Sequence, residues 1–201
     1  MPLTVRAVLF DFDATLTKPG AHDYPAIRAA LSCPPRQPIL EFIASLPTEE
    51  EKARANAILV RFEDDAARAS VPNHGAETVV RTLARRGLKT GILTRNTLKS
   101  IRLSLRNFAG LTEKDFDVIV TREAAGRPKP HPDGVLEAAR RFGVRPGEML
   151  MVGDFVYDIA AGKAAGATAI LVTNGGPALA CDPAPDYTIA TLPEILDILG
   201  A

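Results

Sequence analysis

Cysteine is nearly absent from this sequence: only Cys33 and Cys181 occur in 201 residues. They lie far apart and have no metal-ligand partner at a fixed spacing, so a disulfide framework and a zinc finger are both excluded. Two free thiols fit a reducing compartment, and a cytoplasmic location is expected. Long apolar runs are also missing, and none approaches the ~20 residues of a membrane span. Leu3 to Phe10 is too short for a signal segment and runs directly into aspartates, so no export signal is expected. Charge of either sign is not in excess: 24 Lys and Arg balance 24 Asp and Glu. Zero formal charge argues against nucleic acid or an anionic membrane as the main partner. Internal repeats and low-complexity tracts are lacking too. What remains is 46% hydrophobic and 24% charged, the composition of a globular domain long enough to bury a real core.

One stretch organises the rest. Ala7-Val8-Leu9-Phe10 leads into Asp11-Phe12-Asp13-Ala14-Thr15. A short apolar run of this kind reads as a buried strand. An extended chain through Phe12 would point Asp11 and Asp13 to the same face. Facing carboxylates resist ionising together. A shared cation or a division of labour between acid and base would resolve that conflict, and an ordinary turn would account for the same residues.

Residues 18–72 read as a helical insertion without strands. Tyr24 to Leu31 suits a short helix, Ile39 to Leu46 recurs at helical spacing, and Thr48-Glu49-Glu50-Glu51 caps a longer helix to about Ser70. From residue 73 onward, strand and helix alternate. Strands are expected at 88–94, 116–121, 148–153, 168–172 and 187–190. Helices are expected at 76–86, 98–108, 132–142, 156–165 and 193–199. That alternation predicts an α/β, doubly wound, Rossmann-like parallel sheet, with a core of residues 1–17 and 73–201 and a small helical cap of residues 18–72. In such sheets the strand C-terminal ends line the ligand crevice. Those ends are Asp11, Thr94, Thr121 and Asp154.

The strand ends carry a recurring set. After Asp11 and Asp13 comes Thr94-Arg95-Asn96, a hydroxyl with fresh amides at a helix start, where anions bind. Next is Gly126-Arg127-Pro128-Lys129-Pro130, whose prolines restrict Lys129. Last is Gly153-Asp154-Phe155-Val156-Tyr157-Asp158, followed by Ala161-Gly162. Asp154 and Asp158 stand four apart, on one side of a helix start.

In this order and on these elements, the set resembles the haloacid dehalogenase superfamily in its phosphatase branch, with a small cap similar to that of phosphoglycolate phosphatases. The resemblance implies a magnesium-dependent phosphatase acting on a small phosphate monoester through an aspartyl-phosphate. Asp11 would be the nucleophile, and Asp13 the acid and base. Thr94, Arg95 and Lys129 would hold the substrate phosphate. Asp11, Asp154 and the backbone carbonyl of Asp13 would ligate Mg2+, with Asp158 supporting them. Amides after Asp11 and after Thr94 would also hold the phosphoryl group.

A phosphomutase of the β-phosphoglucomutase kind keeps both aspartates and stands as the enzyme alternative. A phosphate-binding regulatory module is the non-catalytic one, although a binder has no use for Asp13. His22, His74 and His131 are isolated and are expected to take no metal or acid–base role. Three positions depart from the family pattern: Ala14 replaces a usual glycine, Thr17-Lys18-Pro19 replaces an acidic and hydroxyl pair, and Phe155 replaces a small hydroxyl residue.

Overall fold

The computed structural model describes residues 4–200; residues 1–3 and 201, which the expected core bounds include, lie outside them. Six strands form one sheet: β1 (Ala7–Phe10), β2 (Lys89–Leu93), β3 (Val118–Val120), β4 (Met149–Gly153), β5 (Thr168–Val172) and β6 (Tyr187–Ile189). Their order is β3-β2-β1-β4-β5-β6, and every pairing is parallel. The fold is the expected α/β Rossmann-like one. Chain order runs one way from β1 through β2 to β3 and the other way from β4 outward. The crevice of such a sheet opens where that direction changes, at the C-terminal ends of β1 and β4. Phe10 pairs with Val152 in that register, so Asp11 and Asp154 follow on neighbouring strands.

β1 shows why this sheet is buried on both faces. Val8 and Phe10 join one apolar cluster with Leu83, Ile92, Ile101 and Ile195, whereas Ala7 and Leu9 join another with Val135, Phe142 and Met151. The period of two in a strand delivers alternate residues to opposite helical layers. Those layers are α4 (Ala76–Arg85), α5 (Leu98–Leu105), α6 (Asp133–Phe142), α7 (Val156–Ala165) and α8 (Ile195–Ile198). Gly162 lets α7 lie close on the sheet, since a Cβ there would meet Met151 at 2.9 Å.

Between β1 and α4 the chain forms a first helix over Tyr24–Leu31, a second over Ile39–Ala44 and a third over Glu49–Ala69. They are α1, α2 and α3, the αA, αB and αC of the insertion. Asp23 caps αA by accepting from the Ala26 amide at 2.9 Å. Thr48 and Glu51 form a reciprocal capping box on αC, as the sequence signature requires. The three helices enclose an apolar cluster of their own, with Ile27, Leu31, Ile39, Ile43 and Leu59. The two chain crossings run side by side. Thr17 bridges Pro72, Lys18 N–H donates to Val71 at 2.9 Å, and Asn73 N–H donates to Leu16 at 2.8 Å. Among the described residues no helix is long and apolar enough to cross a membrane.

Candidate active site

The strand does not continue through Phe12. Asp11 is still extended, but the chain then turns tightly over Phe12–Leu16, with Asp13 extended and Ala14 left-handed at φ 56°. The simple picture of two aspartates on one strand face is therefore replaced by a loop. Phe12 is drawn inward to the core, 1% exposed, and the backbone reverses around it. Two asparagines hold the reversal. Asn174 donates to the Ala14 carbonyl at 2.7 Å, Asn73 donates to the Thr15 carbonyl at 2.8 Å, and Asn73 donates to Asn174 Oδ1 at 2.8 Å. Asp11 and Asp13 both reach one cavity of about 420 Å³.

Lys129 sits at the centre of the charges. Its Nζ donates to Asp11 Oδ1, to Asp158 Oδ1 at 2.6 Å and to the Leu93 carbonyl at 3.0 Å. Burial alone would lower its pKa, but the carboxylates of Asp11 and Asp158 outweigh that and hold the ammonium above the ordinary lysine range. Asp158 accepts the Phe155 amide on its other oxygen at 3.0 Å, so both its oxygens are engaged. A Cβ on Gly153 would collide with Asp158; glycine at that position is what lets this aspartate turn inward.

One lysine does not balance the acids. Carboxylate oxygens of Asp11, Asp154 and Asp158 lie within 4.8 Å of one another. Burial pushes Asp11 well above the usual aspartate range against the pull of Lys129, and Asp158, Asp154 and Asp13 add to the rise. Asp154 is pushed up to about 7, by burial first and then by Asp158. Crowded, oxygen-only donors of this kind fit a hard divalent cation, which would reverse both shifts. With Asp158 fully engaged by Lys129 and an amide, Asp11 and Asp154 are the carboxylates free to take it.

Asp13 has different neighbours. Its Oδ2 accepts from Asn96 Nδ2 at 2.7 Å, and its Oδ1 lies 3.7 Å from His22 Nδ1. Burial raises its pKa against the opposing charges of His22 and Lys129. The two aspartates thus stand in different environments, one against an ammonium and one against an amide and an imidazole.

Thr94 is 2% exposed, and its Oγ1 accepts the Asn96 amide at 3.0 Å. At that strand end the cavity wall is made by Arg95 and Asn96. Arg95, expected at the phosphate, lines the cavity with its guanidinium already engaged. It donates to the Lys129 carbonyl and to Glu41 of αB at 2.7 Å, and its guanidinium lies over the Tyr157 ring, 5.2 Å from its centre. Thr121, the remaining strand end, is buried and accepts the Ala124 amide at 2.9 Å.

Two residues of the site had little signal in the sequence. His22 is alone among its neighbours, and only the turn of chain before αA carries it to Asp13. Glu63 lines the cavity from αC and is gripped by Arg122, just beyond β3. The helical insertion completes the cavity with Tyr24, Ile27, Leu40 and Leu59.

Known proteins share this fold and much of this sequence. A hydrolase from Pseudomonas syringae superposes with a TM-score of 0.80 at 22% identity, covering 97% of each chain. A HAD phosphatase from Thermococcus onnurineus superposes with a TM-score of 0.71 at 25% identity, covering 98% of each. In sequence, an uncharacterized hydrolase of Saccharomyces cerevisiae is 35% identical over 200 residues, 97% of this chain and 91% of that one. Pyrophosphatase PpaX of Bacillus velezensis is 30% identical over 214 residues, 98% of this chain and 97% of that one. The profile of the haloacid dehalogenase-like hydrolases matches residues 5–166, a span that takes in β1, Lys129 and Asp154. The chain belongs to that family of hydrolases.

Proposed function

We propose that this protein is a magnesium-dependent phosphatase that hydrolyses a small phosphate monoester through an aspartyl-phosphate on Asp11. One observation carries the reading: the contrast between Asp11, held by Lys129, and Asp13, held by Asn96 and faced by His22, within a single cavity. Two carboxyls in unlike surroundings suit a nucleophile and an acid–base.

The phosphoester dianion repels an anionic nucleophile, so catalysis here is mainly charge neutralisation and alignment. Lys129 holds the Asp11 carboxylate in place and offsets its charge. One Asp11 oxygen bonds to phosphorus as the bond to the ester oxygen breaks. Asp13, whose pKa burial raises, gives its proton to the departing oxygen. Water then enters, loses a proton to Asp13 and attacks the same phosphorus, which releases inorganic phosphate and restores Asp11. Asn96 keeps Asp13 aimed at both oxygens in turn. Asp11, Asp154 and the Asp13 carbonyl would hold Mg2+, which supplies positive charge against the phosphoryl oxygens. Thr94 and the amides after it would hold those oxygens from the other side. The helices of residues 18–72 act as a cap that excludes water until substrate is enclosed.

The test is phosphate release over a panel of phosphate esters and inorganic pyrophosphate, with Mg2+ and with chelator. Release that requires Mg2+ is expected. Chelator-resistant release, or none on any compound, overturns the proposal. A phosphomutase would instead need a bisphosphate activator and release little phosphate.

A further inference from the structure

Aromatic side chains are scarce in this chain, with eight Phe, three Tyr and no Trp. Phe10, Phe12 and Phe142 are spent in the core. Two of the three tyrosines nevertheless line the catalytic cavity, together with Phe155 and His22. They form two ring pairs. Phe155 and Tyr157, at the start of α7, meet edge to face with centres 5.0 Å apart. His22 and Tyr24, from the cap side, stack at 5.6 Å with planes 16° apart. Phe155 is 46% and Tyr24 54% exposed. Tyr24 lines the same cavity as Asp11, Asp13 and Asp154, and burial, with those carboxylates, holds its phenol above the ordinary range. Open ring surface beside a reaction centre is costly unless something covers it.

On the cap side Ile27, Ile39, Leu40 and Leu59 add aliphatic wall to the same cavity. A second phosphate group would need a cation here, and of those lining the cavity Arg95 is held by Glu41 and lies over Tyr157, Lys129 is held by Asp11 and Asp158, and Arg28 donates to the Pro34 and Gln37 carbonyls. Exposed Lys18 is the one left uncommitted. A volume of about 420 Å³ is near the small end of ligand pockets and suits one ring plus a phosphate.

We propose that the substrate is the phosphate ester of a ring-bearing alcohol, with its planar aromatic or heteroaromatic ring held between Phe155–Tyr157 and His22–Tyr24. The proposal rests on the phosphatase reading and names the leaving group of the same site. Because one ring pair belongs to the core and the other to the cap side, a ring between them ties substrate binding to cap closure. It also gives Phe155 a use at a position where the family usually has a small hydroxyl.

The experiment compares kcat/KM for benzyl phosphate, 2-phosphoglycolate and inorganic pyrophosphate in the wild type, Phe155→Ser and Tyr24→Leu. Calorimetry on the same proteins compares benzylphosphonate with methylphosphonate, neither of which is hydrolysed. Benzyl phosphate is expected to lead by about tenfold or more, the scale of one good aromatic contact plus its buried area. Either variant should shrink that ratio severalfold. Both side chains are half-exposed, so both variants should fold. Equal or better turnover of pyrophosphate or phosphoglycolate overturns the ring site, as does a ratio that neither variant changes. If no ester turns over but benzylphosphonate still binds about tenfold tighter than methylphosphonate, the ring site stands and the phosphatase reading falls. Equal binding of the two phosphonates overturns the ring site whatever the turnover.

Discussion

Glu63 of αC and Arg122, just beyond β3, clasp each other across 59 residues of sequence, Nη1 donating to Oε1 at 2.8 Å and Nη2 to Oε2 at 3.0 Å. Both side chains are largely buried, at 4% and 16% exposure. Burial outweighs Arg122 and pushes Glu63 from its ordinary 4.5 up to about 7. Between those values the folded protein keeps a proton that the unfolded chain has released. The contribution to stability is therefore full below about pH 4.5 and lost as pH rises through 7. The shift bounds it at about 3 kcal/mol. Glu63→Gln removes this titration. Urea unfolding at pH 5 and pH 8 should show the wild type losing more stability than the variant over that interval. Identical losses would mean that Glu63 stays ionised throughout.

Asp11→Asn keeps the shape of the nucleophile and removes its charge. Phosphate release should fall by about 10⁴-fold or more, the scale seen when a covalent nucleophile is lost. Lys129 keeps Asp158 and the Leu93 carbonyl as partners, so the thermal midpoint should stay within a few degrees. Release at a near wild-type rate would remove Asp11 from the nucleophile role.

Much of this architecture was legible because period and punctuation agree. The αC helix begins at Thr48 and its capping glutamate, and αA covers the expected Tyr24 to Leu31. Where bounds shrank, a tertiary contact is responsible. The α5 helix ends at Leu105 rather than Phe108, because Asn107 turns away to donate to the carbonyls of Ala67 and Ser70 at the foot of αC. Glu63 did leave a trace: it shares the buried face of αC with Ala55, Leu59, Ala66 and Ala67, and an acid on such a face needs a partner. Nothing local names Arg122 as that partner. Arg95 is legible only in part for a related reason. Its place beside Thr94 is written in the chain, but its ties to Glu41 and Tyr157 depend on how αB and α7 meet at the end of β2.

Asp154→Ala separates metal binding from folding. In the wild type, Mg2+ at 100 times its dissociation constant should add about 2.7 kcal/mol to unfolding free energy, and the variant should lose that gain. Without metal the order reverses above pH 7. Asp154 is pushed up to about 7 by burial and Asp158, so its ionised form opposes folding there, and the metal-free variant should be at least as stable as the metal-free wild type. Chemical denaturation with and without Mg2+ reads both effects. An unchanged Mg2+ increment in the variant would exclude Asp154 as a ligand.

Ala14 carries a conformation that its side chain disfavours. At φ 56° the Cβ crowds the backbone, a cost of about 1 kcal/mol that glycine does not bear. The loop accepts the cost because Asn174 and Asn73 fix the carbonyls of Ala14 and Thr15 from outside. Ala14→Gly relieves the strain but also frees the unfolded chain, so the net gain should be about 0–1 kcal/mol. Turnover should remain near the wild-type value, since the asparagines still aim Asp13. Asn174→Ala should do the opposite. It leaves the Ala14 carbonyl without that donor, which should cost about 1–2 kcal/mol and lower kcat, because Asp13 precedes the freed peptide. Combining the two substitutions gives the sharper reading. If the Asn174 bond serves mainly to hold the strained alanine, Ala14→Gly should recover most of the stability lost in Asn174→Ala but little of the kcat. Full recovery of both would show that the backbone angle alone positions the acid–base.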